Sequence, residues 1–196
     1  WYVSRANYDC RWEHNNSKWH LEYRMSTLEL KELSAPAGEV IKIAAGKTLD
    51  LKSQGTTTLP TGSVLQVVSA RTNTSQTTTS TSYVDTNLSL SITPSSTSSK
   101  IHIQFSFSSV TLAAATSGCS FRLMRDSTSL FTPSVGHALY TDANQIYVQY
   151  GDTALDSPST TSSITYKVQV RTFNSASVNV GDTRFINTIT LMEIQG

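Results

Sequence analysis

Charge is what this sequence has least of. Lys, Arg, Asp and Glu make up 15% of its 196 residues, against about 25% in ordinary soluble domains. The 15 basic and 14 acidic side chains leave a formal net charge of +1, and the basic residues form no patch or stripe. This is not the footprint of a nucleic-acid binder. No apolar run is long enough for a membrane-spanning helix. The stretch from Trp1 to Cys10 lacks the basic segment and apolar run of a signal peptide; Trp1 in place of Met predicts a processed N-terminus or a fragment. Cysteine is also scarce. Cys10 and Cys119 are too few and too far apart for a disulfide framework, and two reduced thiols are expected. Helical periodicity is missing after residue 35.

Polarity comes instead from Ser and Thr, roughly three residues in ten. Thr suits a pleated surface and Ser suits turns. The composition therefore favours a β-protein of the kind found on cell surfaces and particles.

The chain divides by pattern into three parts. Residues 1 to 35 hold all three tryptophans, Trp1, Trp12 and Trp19, together with Tyr2, Tyr8 and Tyr23. Aromatics are abundant but no repeated period is evident, and Met25, Leu28, Leu30 and Leu33 mix helical with strand spacing. This reads as an attachment arm, with Trp1, Trp12, Trp19 and Tyr23 as its candidate contacts. Residues 36 to 63 are punctuated by Gly38, Gly46, Gly55 and Gly62. Between them lie short apolar pieces: Ile41 and Ile43, Leu49 and Leu51, then Leu59. Pieces this short need neighbours to bury one apolar row. A short β-stem or linker is expected, intertwined with other copies of the chain.

Residues 64 to 196 are a series of strands. Val64 to Ala70 opens it, and Leu88, Leu90 and Ile92 alternate with serines. Ile101, Ile103, Phe105 and Phe107 alternate with His102, Gln104 and Ser106. Phe121 and Leu123 follow, then Ile146 and Val148. Ile164, Tyr166, Val168 and Val170 alternate with polar residues, and Val178, Val180, Ile189 and Leu191 close the set. Strict alternation marks antiparallel sheets with one face buried. Turn signals separate the strands at Thr93-Pro94-Ser95, Arg125-Asp126-Ser127, Ser157-Pro158-Ser159 and Gly181-Asp182. Phe173 falls off the parity of its strand, so a bulge or strand end is expected near Thr172. About eight strands fit a β-sandwich of the jelly-roll kind. The fold class is thus all-β: an antiparallel jelly-roll-like β-sandwich preceded by a short Gly-punctuated β-stem and an N-terminal arm. The longest loops are expected at residues 133–144 and 151–163, carrying Tyr140, Asp142, Asp152 and Asp156, and loops held by a rigid sandwich are where binding residues concentrate. Tyr140, Tyr147 and Tyr150 are candidates for stacking on sugars, with core packing the expected fate of Tyr147.

No pattern for catalysis stands out. Cys10, His14 and His20 match no zinc spacing and have no fourth ligand nearby. There is no Gly-x-Ser-x-Gly elbow, and His137 carries no motif. Asp152 and Asp156 read first as turn-forming aspartates rather than a carboxylate pair. Enzyme activity, a metal and a cofactor are not expected.

Several separated stretches carry a family resemblance. They are Val64-Leu-Gln-Val-Val-Ser69, Tyr83-Val-Asp85, Leu88 through Ile101, Leu123-Met-Arg-Asp-Ser-Thr128, Asp156-Ser-Pro through Thr165-Tyr-Lys-Val-Gln-Val-Arg171, and Thr188-Ile-Thr-Leu-Met-Glu-Ile194. Together they resemble a module of bacteriophage structural proteins, especially of marine phages, over most of residues 64 to 196. Met25-Ser-Thr-Leu28 looks like the usual start of such proteins, so residues 1 to 24 lie outside the resemblance. The resemblance implies a virion protein assembled in the bacterial cytoplasm. The role it implies is tail-fibre-like and receptor-binding, or head-decorating, usually as a homotrimer. The partners then expected are further copies of the chain, other virion proteins and a host surface glycan or protein, with no nucleic acid and no membrane insertion. In the alternative, a capsid decoration or head fibre, the arm would clamp onto the shell.

Overall fold

The computed structural model describes residues 6–15, 18–28, 45, 59–131 and 138–196. Two compact units divide between Thr57 and Thr58.

In the first unit, β1 (Ala6–Asn15) and β2 (Lys18–Leu28) form an antiparallel pair. The register sets Tyr8, Cys10, Trp12 and His14 opposite Met25, Tyr23, Leu21 and Trp19; between them, Asp9, Arg11 and Glu13 face Arg24, Glu22 and His20. This corrects the reading of an aperiodic arm. The period is two, aromatic and apolar positions alternating with charged ones on both strands, and such alternation specifies strand register. Trp1 and the stem positions Ile41, Ile43, Leu49 and Leu51 lie outside the described residues, and Leu59 is exposed.

The second unit begins with β3 (Val64–Thr72), β4 (Gln76–Thr78), β5 (Val84–Ile92) and β6 (Lys100–Leu112). It continues with β7 (Ser117–Arg125), β8 (Thr128–Phe131), β9 (Leu139–Thr141) and β10 (Ile146–Asp156). β11 (Ile164–Thr172), β12 (Val178–Val180) and β13 (Asn187–Ile194) complete it. One sheet runs β3-β13-β6-β12-β4, with β10 on the opposite edge of β6; the other runs β5-β11-β7-β8, with β9 beside β8's edge of β7. β12 and β13 lie end to end along β6, and β8 and β9 likewise along β7. Each sheet therefore has four rows. The first row along the chain pairs with the last, the second with the seventh, the third with the sixth and the fourth with the fifth. That nesting is the jelly roll expected from the alternating strands.

The core forms where the inward residues of both sheets meet. Ile101, Ile103, Phe105 and Phe107 of β6 are buried with Phe121 and Leu123 of β7 and Tyr166, Val168 and Val170 of β11. Phe107 stacks on Phe121 at 5.4 Å between ring centroids, and Phe121 stacks on Tyr150 at 4.4 Å. The parity of β6 changes after Phe107, so that Val110 and Leu112 are the next buried apolar residues. The β10 register shifts opposite, between Val148 and Tyr150. β11 ends at Thr172, as its parity suggested.

Two carboxylates tie the sandwich together, Asp156 part-buried and Glu193 fully buried. Asp156 accepts two hydrogen bonds from Arg125 at 2.9 and 2.8 Å and one from the Tyr166 hydroxyl at 2.7 Å. Glu193 is 0% exposed and accepts from the Ser95 amide (2.7 Å), the Ser95 hydroxyl (2.6 Å) and Gln66 Nε2 (2.6 Å). Burial opposes its charged form, but the bonds from Ser95 and Gln66 outweigh this and hold the carboxyl below its ordinary value.

Candidate functional site

The alternation of β10 turns Ile146 and Val148 towards the core and Tyr147 outwards. Tyr147 is 63% exposed, so the expectation of core packing for it is overturned. Tyr150 has the opposite fate. Beyond the register shift it stacks on Phe121, and burial pushes its phenol up to about 12. Tyr147 is the more exposed of this pair.

A polar row runs across the outer face of the sheet from Tyr147. Register sets Tyr147 opposite Thr111, Thr111 opposite Asn179, and Asn179 opposite Thr77. Beside this row the segment between β12 and β13 projects Asp182, Arg184 and Phe185. Its base is tightly held. Gly181 has φ +85, and a Cβ there would lie 2.5 Å from Asn187 Nδ2 and 2.7 Å from the Thr74 carbonyl. Asn187, 1% exposed, accepts from both the amide and the hydroxyl of Ser108 at 2.9 Å. Glycine is the residue that fits such a left-handed, closely approached position. Asp182 then accepts from the Arg184 amide (2.8 Å), Nε (3.0 Å) and Nη2 (2.7 Å). These bonds hold its carboxyl at about 2. The Arg184 guanidinium lies 5.7 Å from the Phe185 ring centroid, within cation–π range.

Two adjoining depressions result, of about 530 and 400 Å³, sharing Tyr147, Asp182 and Arg184. Ser108, Gln149 and Phe185 help to line the first; Thr111, Gln145 and Asn179 help to line the second. Asn179 Oδ1 is held by the Ser75 hydroxyl (2.8 Å), which aims its two amide hydrogens elsewhere. Gln149 Nε2 donates to Ser106 (3.2 Å), leaving its carbonyl as an acceptor.

The four loop residues read from the sequence do not converge. Tyr140 is in β9, and its hydroxyl donates to Asp142 at 2.7 Å, which raises its pKa. Asp152 lies within β10, opposite Phe105, and caps its own neighbour's amide at 2.7 Å. Asp156 ends β10 in the part-buried ion pair with Arg125. The expected loop at 151–163 is therefore half strand, and the 133–144 segment contains β9. β9 and Arg125 sit at opposite ends of β7, so Tyr140 and Asp142 are remote from Asp156. Of the arm candidates, Trp12 is in β1, while Trp19 and Tyr23 are in β2. The residues missed by sequence reading are Asp182, Arg184, Phe185 and Asn179. The Gly181-Asp182 turn signal was the available pointer, and the outward parity of Tyr147 was another.

Two other surfaces were candidates. A cleft of about 360 Å³ opens between the sheet edges at β8 and β10, lined chiefly by Phe105, Phe121, Leu130, Phe131 and Tyr150. On the outer face of the second sheet, Arg122 and Arg171 lie 4.3 and 4.9 Å from the Tyr83 ring centroid. Arg122 also donates to Gln169 (2.6 Å), which in turn donates to Asp85. Among the described residues no three His, Cys, Asp or Glu side chains are grouped to hold a metal.

No protein-family model matches this chain, and no curated protein matches it. Among solved structures it is similar to the VP2 subviral particle of infectious bursal disease virus, at 10% identity and a TM-score of 0.37, over 76% of this chain and 42% of that one. The chain thus spans less than half the length of that protein, and a likeness at this level assigns neither family nor function. What the strand pairing itself defines is a jelly-roll β-sandwich.

Proposed function

We propose that the chain is a structural protein of a bacteriophage virion, tail-fibre-like, whose jelly-roll unit attaches the particle to its host's surface. In this reading it works as a homotrimer, without catalysis or cofactor, and is assembled into the particle in the bacterial cytoplasm. The observation that carries the reading is the Tyr147–Phe185 face: exposed rings beside oriented amides, on a rigid sheet. Ligand sites characteristically combine apolar surface with a few placed polar groups.

The phage-module resemblance supports the same reading in a particular way. Its motifs fall on β3, β5, β7 to β8, β11 and β13, which are the framework of the sandwich. A shared framework supports a virion role, and the ligand is argued from the surface site rather than from the fold. Self-association is supported by a second row on the outer face of the first sheet, Val67–Met192–His102–Leu155 in register order. Val67 and Leu155 are 55% and 58% exposed. An exposed apolar row on a strand face favours covering by another surface. Trimeric association would also multiply weak contacts to a surface. Light scattering of the purified chain tests this point: a mass of three chains is expected, and a monomer at micromolar concentration contradicts it.

The alternative is a capsid decoration or head fibre attached by residues 1–35. It is favoured by the hairpin register, which sets Trp12 opposite Leu21 and Trp19 opposite His14, and by the prominence of aromatics in interface hot spots. Immunogold labelling of purified particles separates the two. Label at the tail end supports adhesion, label over the shell supports decoration, and unlabelled particles overturn both.

A further inference from the structure

We infer that the paired depressions around Tyr147 form a binding site for a neutral glycan. The inference rests on the adhesion reading and adds the chemical class of ligand. It begins from charge. Among the described residues, Asp182 and Arg184 are the only ionisable carboxylate and cation lining either depression, and they neutralise each other through bonds at 2.7 to 3.0 Å. The site therefore presents no net charge to a ligand. An anionic sugar would meet the Asp182 carboxylate, and a cationic ligand would meet the Arg184 guanidinium. Neither has an uncompensated partner.

What the site does offer is apolar ring surface and directed hydrogen-bonding groups. The Tyr147 ring stands between the two depressions and is mostly exposed; Phe185 lies at the rim, 54% exposed. A pyranose has one face of C–H groups, which covers an aromatic ring well, and a periphery of hydroxyls that both donate and accept. The polar lining matches that periphery. Asn179 presents amide hydrogens, Gln149 presents a carbonyl, Asp182 keeps a lone pair on Oδ2, and Arg184 keeps guanidinium hydrogens. Donors and acceptors thus both line the depressions that Tyr147 shares.

The site is also pre-formed. Tyr147, Thr111 and Asn179 stand on three paired strands, and the Gly181–Asn187 clamp fixes the Asp182–Phe185 segment. Binding then orders few groups, and ordering cost is what weakens contacts to small polar ligands. The two depressions, each within the usual size range of small-molecule sites, predict that at least two linked sugar units are engaged, one on each side of Tyr147.

The test is saturation-transfer NMR and calorimetry on the full chain with neutral oligosaccharides of the glucose, galactose and mannose series. Sialylated and sulfated oligosaccharides are run in parallel. A neutral series should bind, disaccharides better than monosaccharides. Tyr147→Ala should weaken binding at least tenfold with an unchanged melting temperature, while Tyr147→Phe should retain it. Asn179→Ala should weaken it several-fold. Binding of anionic glycans alone, binding of none, or full binding by Tyr147→Ala each overturns the inference. If no glycan binds but the chain still blocks phage adsorption, the ligand class is wrong and the adhesion reading stands. If a glycan binds but adsorption is unaffected, the reverse holds.

Discussion

Replacing Glu193 tests the energetic reasoning behind the fold. Its carboxylate is fully buried and held by three donors that belong to the start of the first sheet and to the turn between β5 and β6. Glu193→Ala strands the Ser95 amide and Gln66 Nε2; the Ser95 hydroxyl can rotate. Loss of three part-buried bonds to a carboxylate, together with a small cavity, costs about 3–5 kcal/mol, partly offset by no longer burying a charge, so a net loss of about 2–4 kcal/mol is expected. For a unit of this size that lowers the melting temperature by roughly 10 °C. Glu193→Gln should cost less. Its carbonyl can keep both Ser95 bonds, but its amide then meets Gln66 Nε2, and Gln66 cannot flip without losing its 2.8 Å bond to the Thr93 carbonyl. One mismatched pair costs about 1–2 kcal/mol. The pH dependence follows from the lowered carboxyl pKa. The ionised form is the stabilising one, so its contribution is complete above the ordinary carboxylate range and disappears as pH falls through the folded-state value. The gap between wild type and Glu193→Gln should therefore close in acid. The assay is calorimetry or far-UV circular dichroism, because all three tryptophans precede residue 20 and their fluorescence does not report on this unit. A Glu193→Ala melting temperature within 2 °C of wild type would refute the reasoning.

Other expectations follow from the same geometry. Gly181→Ala combines a left-handed φ with a Cβ at 2.5 Å from Asn187, and should destabilise by about 2–3 kcal/mol, read by denaturant unfolding. Asp156→Ala leaves both Arg125 and the Tyr166 hydroxyl without their acceptor and should cost about 3 kcal/mol in the same measurement. Cys119 is buried, and that burial pushes its thiol up to about 12; in the native protein it should resist a thiol reagent at pH 8 and react promptly in denaturant.

Much of the sandwich was legible because its strands obey simple parity. Ile101 to Phe107 and Ile164 to Val170 alternate without interruption, and the turn signals fall between strands. The departures have physical causes. The parity change after Phe107 depends on the register shift in β10, a strand separated from β6 by three others in sequence. The loop expected at 151–163 is half strand because the aspartates that suggested turns serve other ends; Asp156 is explained by Arg125, 31 residues away, and by the Tyr166 hydroxyl. Glu193 shares the inward parity of Ile189 and Leu191, so its burial was readable, but its partners were not. The aromatic arm concealed a period of two because Trp, Tyr and Cys were counted for content rather than position. The site was the least legible part. Tyr147 was expected in the core, although Ile146 and Val148 on either side of it take the inward parity.

The central claim is that this unit attaches a phage to its host through the Tyr147 face, and adsorption competition measures that directly. Host cells are preincubated with the purified full chain, then challenged with the phage that carries it. The account predicts that wild-type protein slows adsorption in a saturable way and that Tyr147→Ala, folded and equally stable, does not. Undiminished adsorption with wild-type protein, or equal blocking by Tyr147→Ala, would contradict it.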